Sequence, residues 1–373
     1  MVASGPRNIA PHSNELEISL FGPGIGECVV VHLGNGEWMV VDSCMNADRS
    51  RAVAIDYLED LGVDVRTQLK LIVVTHWHDD HIDGVSQLVQ TAKSARVAIS
   101  AAFQSKQFGE MVAIYSKTLL VERTSGVSEF ECLLEEFKTR RGNSALKLGG
   151  PDFWALDGLL LHRPAASGIA SVTALSPSSQ TLTDAFARFM ELMPEKGDHP
   201  RRLPRLTPND LSIALRIDTP GFFAVLGGDL ENVSDPLRGW NAVITSPVRH
   251  PAKGQAIKIA HHGSQNGDHP EIWSELLQPS PLAMLTPYSR GRDPLPTEGD
   301  IQRLQSNTAQ LFCTTWPPTK RPPRRDSAVQ RTIKQVTRSH RAVPSTVGHI
   351  RLRTPIGGSF EPTIDLYDGA VRL

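Results

Sequence analysis

Residues 71–84 read LIVVTHWHDDHIDG. Leu71, Ile72, Val73 and Val74 are apolar and mostly β-branched, and the run stops at Thr75, which predicts a buried strand ending there. His76, His78, Asp80 and His81 follow at once, then Gly84 and an apolar-periodic run through Val85, Leu88 and Val89. The polar cluster therefore falls in a strand-to-helix loop, where α/β proteins build their sites. Imidazole nitrogens with a carboxylate suit a borderline divalent ion, zinc first, with manganese or iron less demanding of nitrogen. His76 and His78 can point the same way from an extended segment and share one ion, leaving Asp80 and His81 to project toward a second. The bland alternative is a His-rich surface loop. Three histidines and an aspartate within the six residues 76–81 outweigh it.

The 373-residue chain is long enough for one large domain or two ordinary ones. At 40% hydrophobic and 21% charged residues it has an ordinary soluble composition. A formal net charge of −1 supplies no global basic field for nucleic acid, although a local basic groove stays open. Cys28, Cys44, Cys132 and Cys313 are scattered with no C-x-x-C pair, as expected of reduced, mostly core thiols in a cytoplasmic protein. The first fifteen residues lack a signal-peptide core and no apolar run is long enough to span a bilayer, so no membrane contact is expected.

Upstream of the histidine loop, LEISLFGPGIGECVVVHLGNGEWMVVDSC reads as three strands with turns at Gly22–Gly26 and Gly34–Gly36, the last strand ending at Asp42. A helix is predicted over 48–64, on the stripe Ala52, Ile55, Leu58 and Leu61. Downstream come a helix over about 82–93 and a strand at Val97–Ser100. Within 101–200, Ser128-x-x-Glu131 reads as a capping box opening a helix, ASVTALSPSS as a strand, and 181–193 as a second helix. Helical insertions here are expected to line or cover the active cleft. Farther on, strands at Leu211–Ile217 and Phe222–Leu226 lead to Gly227-Gly228-Asp229, and an aspartate at a strand end after small residues can lie between two ions. The strand AIKIA then breaks into His261-His262-Gly263-Ser264. Adjacent residues of an extended segment face opposite ways, so one histidine binds metal and the other donates a proton or meets substrate. His262 is favoured as the ligand.

HWHDDH fits the H-x-H-x-D-H signature of the metallo-β-lactamase fold superfamily. With GPGIGECVVVHLGNGEWMVVDSC, NDLSIALRI, LGGDLEN and KIAHHGS, it resembles the β-lactamase-like domain of ComEC-type competence proteins and their stand-alone relatives over about residues 16–315. The resemblance implies an α/β (α+β) chain folded as an αββα four-layer sandwich with helical insertions. It also implies two divalent ions, Zn²⁺ or alternatively Mn²⁺. By position the ligands are His76, His78, Asp80, His81, Asp229 and one of the His261/His262 pair, with Asp229 bridging and His262 the favoured member. Asp80, Asp229 and His261 are the candidate catalytic residues. Asp42 would lie near the metals and orient a ligand, a reading weighed evenly against a turn cap. Asn209 and Ser212 match an N-x-x-S element that is structural or touches substrate, and Ser264 is a further candidate contact. Two features depart from the pattern. YSRGRDPLPT lacks a histidine found in the relatives, and the histidine that many members place between the loop and the bridging aspartate has no clear counterpart. His162 and His199 are the ones available, each read as a surface or packing residue, so the first ion site is expected to be ligand-poor.

The tail carries Lys320, Arg321, Arg324, Arg325, Arg331, Lys334, Arg338 and Arg341 against one acid, Asp326. A solvated loop is the plain reading; the functional one is a basic arm that lays a phosphate backbone across the cleft, with Arg324 and Arg325 as candidate contacts and Arg201, Arg202 and Arg205 adding to it. The expected organisation is a hydrolase domain over 1–316, a basic Pro/Arg-rich segment over 317–345, and C-terminal strands over 346–373 packing on the same domain. The expected function is metal-dependent phosphodiester hydrolysis, in DNA or RNA first. A small ester, lactone or nucleotide hydrolase is the alternative, and a catalytically silent metal-binding protein a third reading.

Overall fold

The computed structural model describes residues 6–22, 26–105, 108, 110, 126–140, 151–164, 169–191, 208–289, 294–319, 331–332, 335–336, 347–358 and 361–373. Sixteen strands lie among them. The first eight are β1 (Glu15–Gly22), β2 (Cys28–Gly34), β3 (Glu37–Val41), β4 (Leu69–Val74), β5 (Arg96–Ser100), β6 (Phe153–Ala155), β7 (Leu160–His162) and β8 (Ser171–Ala174). The rest are β9 (Leu215–Thr219), β10 (Phe222–Leu226), β11 (Gly254–Lys258), β12 (Leu277–Leu285), β13 (Leu311–Cys313), β14 (Gly348–Pro355), β15 (Thr363–Tyr367) and β16 (Val371–Arg372). One sheet runs β15-β14-β1-β2-β3-β4-β5-β6 and the other β16-β13-β12-β11-β10-β9-β8-β7.

Alternation along single strands explains why their sequences read as unbroken apolar runs. In β4, Leu71 and Val73 enter a core between the two sheets, whereas Ile72 and Val74 enter a second core under the helices Val53–Asp60, Val85–Thr91 and Gly126–Arg140. In β10, Phe222, Ala224 and Leu226 face the inter-sheet core, while Phe223 and Val225 face a third core beneath the helices Gly239–Thr245 and Glu298–Asn307. A strand buried on both faces needs apolar residues at every position. The result is helices, sheet, sheet, helices: a mixed α/β sandwich.

Parallel pairing of β3 through β6, and of β10 through β13, points the C-terminal ends of these strands to one edge of each sheet. The histidine loop leaves β4, Asp229 follows β10, and His261 and His262 follow β11. Gly228 makes the turn after β10 feasible. Its φ is +52°, and a Cβ there would stand 2.6 Å from Ser212 Oγ and 2.8 Å from Ile213 O. The sheets are stitched at this edge by Ile213 N–H donating to Thr75 O at 3.2 Å.

Several elements differ from the sequence expectations. The helix expected over 48–64 spans Val53–Asp60, because Asn46, Asp48 and Ser50 form a side-chain-bonded turn before it, Ser50 N–H donating to Asn46 Oδ1 and Asp48 Oδ1 at 3.0 Å each. The helix expected over 82–93 divides into the turn Asp79–Ile82 and Val85–Thr91, broken by Gly84 at φ +87°. Ser128 lies inside the helix Gly126–Arg140 rather than capping it; the adjacent Glu129 instead accepts from Ser86 N–H and Oγ–H at 2.8 and 2.7 Å. Residues 208–211 form a 3₁₀ turn, so β9 starts at Leu215 and not Leu211. The stretch 101–200 contributes β6 to one sheet and β7 and β8 to the other besides its helices. At the C-terminal end, β14 pairs along all of β1, and β16 pairs with β13. Among the described residues, no helix is long and apolar enough to cross a membrane.

Candidate metal centre

Four imidazoles and four carboxylates converge where the two sheets meet. His76, His78 and Asp229 offer donor atoms within 4.8 Å of one another, and so do Asp80, His81 and His262. Asp229 stands between the groups: its Oδ2 is 3.9 Å from both His76 Nε2 and His262 Nε2, and its Oδ1 is 3.2 Å from His81 Nε2. Asp80 Oδ2 lies 2.9 Å from His262 Nε2 and 3.7 Å from His81 Nε2. His76 Nε2 is 3.2 Å from His78 Nδ1.

Hydrogen bonds behind the rings fix which nitrogen faces the centre. Carboxylates and carbonyls only accept, so His81 Nδ1 donates to Asp42 Oδ2 (2.8 Å) and His262 Nδ1 to Thr286 O (3.1 Å). Thr75 Oγ1 spends its proton on Asp42 Oδ2 (2.7 Å) and can therefore accept from His76 Nδ1 (3.0 Å). All three rings therefore turn Nε2 inward, where it can give its lone pair to a metal once any proton on it is displaced. Asp42 is thus a hub: it also accepts from Thr75 N–H at 2.7 Å. It holds a left-handed φ of +59°, uncommon outside glycine, and those bonds keep it there.

This donor set fits a metal. His81 Nε2 and Asp229 Oδ1 are buried, have no hydrogen-bond partner, and face each other as two acceptors. Either a proton on His81 or a cation bound between them relieves that arrangement, and a metal ion would do so by displacing the proton. Counting Glu27, Asp42, Asp80 and Asp229, four carboxylates meet one buried lysine, Lys258, a deficit of positive charge that divalent ions would offset. Titration follows the same field. Burial pulls His81 down, but Asp229, Asp80, Glu27 and Asp42 outweigh it and hold its pKa well above the ordinary value. Burial, helped by charge on His81 and His78, holds His76 well below. Asp229, against its burial, is held well below the usual carboxylate range by His81, His262 and His76.

The other residues singled out in the sequence are distributed as follows. His261 lies beside the centre, its side chain 19% exposed, its Nδ1 3.4 Å from Glu231 Oε1 and its Nε2 3.2 Å from Asn209 Nδ2. Neither histidine sits on extended backbone: both have positive φ, +47° and +53°, in a tight turn after Ala260. The opposite-facing argument from strand geometry therefore does not apply; the turn separates the two rings, with centroids 6.2 Å apart. Ser212 is fully buried, and its Oγ accepts from Asp229 N–H at 3.0 Å, so it holds the backbone of Asp229 from behind. Asn209 and Ser264 are buried, Asn209 donating to Glu231 Oε1 at 3.0 Å and Ser264 to Asn266. His162 is far from this group in the fold, on β7, 3.0 Å from Glu37 Oε2. His199, Arg201, Arg202, Arg205, Arg324 and Arg325 lie outside the described residues.

Sequence reasoning missed Glu27, Lys258, Thr286 and Glu231. A signal existed for one of them: Lys258 is a lone charge in the apolar strand AIKIA, and it is 1% exposed. Trp77, between the two histidines, stacks on Phe103 and Phe108 at ring distances of 5.3 and 4.8 Å, fastening the loop to the helical layer.

The family model of the metallo-beta-lactamase superfamily matches residues 21–145. That span contains Glu27, Asp42 and the whole histidine loop; Asp229 and His262 lie beyond it and join it through the contacts above. Among solved structures, the chain is similar to a HARLDQ-motif mutant of a metallo-beta-lactamase from Cronobacter sakazakii (16% identity, 64% of this chain and 70% of that one, TM-score 0.32). It is also similar to the metallo-beta-lactamase fold protein YhfI from Bacillus subtilis (12% identity, 65% and 70% covered, TM-score 0.31). No functionally curated protein matches the chain.

Proposed function

We propose that the protein is a dinuclear metal-dependent hydrolase whose substrate is a phosphodiester, in nucleic acid before small molecules. The observation that carries this reading is the position of Asp229 between the triads His76/His78/Asp229 and Asp80/His81/His262. Two divalent ions held there would supply Lewis acidity toward phosphate oxygens and lower the pKa of water, which is the clamp that phosphodiester displacement uses. Zn²⁺ suits the nitrogen-rich donor set, and Mn²⁺ the carboxylates.

The chain's own residues divide the remaining work. Asp42, Thr75 and Thr286 hold the imidazoles in one tautomer, and Ser212 fixes the backbone of Asp229. His78 and Asp80 are less deeply buried than His76, His81 and His262, which marks the side from which substrate approaches. His261, restrained by Asn209 and beside Glu231, stands at the rim where a leaving group would take up a proton. The basic residues of 317–345 and the resemblance of KIAHHGS to ComEC-type domains support a polyanionic substrate.

The test is cleavage of labelled single- and double-stranded DNA and RNA with Zn²⁺ or Mn²⁺, beside the Asp80→Ala, His81→Ala double variant. Metal-dependent cutting that falls steeply with salt and is lost in the variant supports the proposal. Metal uptake with no cutting of any polymer would move the assignment to a small ester or lactone, whose turnover should respond little to salt.

A further inference from the structure

Behind the metal centre lies a charged pair that none of the proposed chemistry uses. Lys258 and Glu27 are 1% and 2% exposed, and their charged ends are in contact. Two buried charges of this kind are costly to desolvate, and a hydrophobic pair often serves stability as well or better. Their neighbours suggest what else the pair does. Lys258 Nζ also donates to Gly228 O at 2.9 Å, the peptide that leads into Asp229 and that accepts His261 N–H at 3.2 Å. Glu27 Oε2 accepts from Thr286 Oγ1 at 2.7 Å, and His262 Nδ1 lies 3.2 Å from that same hydroxyl and 3.1 Å from Thr286 O. Glu27 Oε1 is 3.7 Å from His81 Nδ1, and Glu27 N–H donates to Asp80 O at 2.9 Å.

We propose that Lys258 and Glu27 form a positioning pair that sets the mutual placement of Asp80, His81, Asp229 and His262, and so tunes metal affinity. The inference rests on the metal-hydrolase reading. Every loop that supplies a ligand is touched by this one pair: the histidine loop through Asp80 O and His81, the Gly228 turn through its carbonyl, and the His262 turn through Thr286. The two sheets contribute different loops, and the pair spans the seam between them, Glu27 from the first and Lys258 from β11. Lys258 stands close to the ligands without occupying a ligand position, since its Nζ is engaged by Glu27 and Gly228 O.

The experiment measures Zn²⁺ affinity and stoichiometry by chelator competition, and the denaturation midpoint of the metal-free protein, for wild type, Glu27→Gln, Lys258→Met and the double variant. Each single change strands one buried charge and should lower the midpoint; the double should recover it. Positioning predicts that the double variant nevertheless binds Zn²⁺ about 10–100-fold more weakly than wild type. A stable double variant with affinity within about threefold of wild type would overturn the inference while leaving the metal reading intact. Thr286→Val covers the case in which the double variant does not fold. It removes the hydroxyl link between Glu27 and His262 and leaves the ion pair alone, and should weaken one of two Zn²⁺ equivalents by about tenfold; unchanged affinity for both equivalents would equally overturn it. Wild-type protein that takes up no Zn²⁺ or Mn²⁺ would overturn the metal reading itself, and the inference with it.

Discussion

Gly228→Ala tests whether the backbone turn after β10 is what delivers Asp229 to the centre. The residue's φ is +52°, a conformation that costs an L-residue with a Cβ about 1–2 kcal/mol. A methyl group there would approach Ser212 Oγ to 2.6 Å and Ile213 O to 2.8 Å, well inside contact distance. Relief requires moving Ser212, whose Oγ accepts the buried Asp229 N–H at 3.0 Å, and an orphaned buried donor costs about 1–3 kcal/mol. Together the loss should be about 2–5 kcal/mol. Gly62→Ala is the internal control, because Gly62 has φ +76° and nothing within 4 Å of the added Cβ, so only the backbone penalty of about 1–2 kcal/mol applies. Urea denaturation of the metal-free variants gives the two costs, and Zn²⁺ titration shows whether the Asp229 carboxylate has moved. The expected result is a larger loss at Gly228, accompanied by weakened metal binding that Gly62→Ala does not share. Equal costs at the two glycines, with metal binding unchanged, would refute the claim that this turn aims Asp229.

Three further outcomes are expected. Asp229→Asn should lower bound Zn²⁺ from two equivalents toward one and reduce cleavage by more than about 100-fold, because its carboxylate stands 3.9 Å from a ring nitrogen of each triad, His76 and His262; metal analysis after dialysis decides, and full loading would count against a bridging role. Trp77→Ala removes a ring that is 6% exposed and stacked on Phe103 and Phe108, and should cost about 3–5 kcal/mol in denaturant titration. Burial lowers His81 and His262, but the surrounding carboxylates, Asp229 first for both, raise each above its ordinary pKa. The metal-free protein should hold protons that Zn²⁺ must displace, so affinity should fall as pH drops and calorimetric enthalpies should differ between buffers of unlike ionisation enthalpy; identical enthalpies would show no proton release. The same raised values stabilise the metal-free fold below about pH 6.5, and that contribution is lost as pH rises through the folded-state pKa values.

The chemistry was legible where ligand types crowd a strand end. Residues 76–81 announce a metal loop from composition alone, and Asp229 stands out because it follows an apolar strand and two glycines. Partners that depend on tertiary approach left weaker traces. Glu27 sits between a glycine-rich turn and an apolar strand, a place where an acid is usually just soluble punctuation, and nothing local connects it to Lys258. Ile213 and Ala214 read as strand because they are apolar, yet Ile213 N–H goes to Thr75 O across the seam, so the ladder begins only at Leu215. Strands β6 and β7 have three residues each, too few for a period of two to show. For the paired histidines only the reason fails: both residues turn left-handed rather than extended, yet it is His262 that joins Asp80 and His81.

These misses share a cause that bears on function. The centre belongs to neither sheet alone: β3 and β4 supply Asp42 and the histidine loop, while β10, β11 and β12 supply Asp229, His262 and Thr286. Each half, read along the chain, shows its ligands but not what aims them. The aiming contacts cross between halves, as Thr75 O to Ile213, Asp80 O to Glu27, and Glu27 to Lys258 and Thr286. Because a metal tolerates only small errors in donor placement, ligand geometry here is set by sheet-to-sheet register as much as by the ligands themselves. Buried charges elsewhere, such as Glu17 with Arg353 and Arg351 with Asp365, join strands of one sheet, whereas Glu27 with Lys258 and the left-handed Asp42 stand at the seam and tie the two halves together.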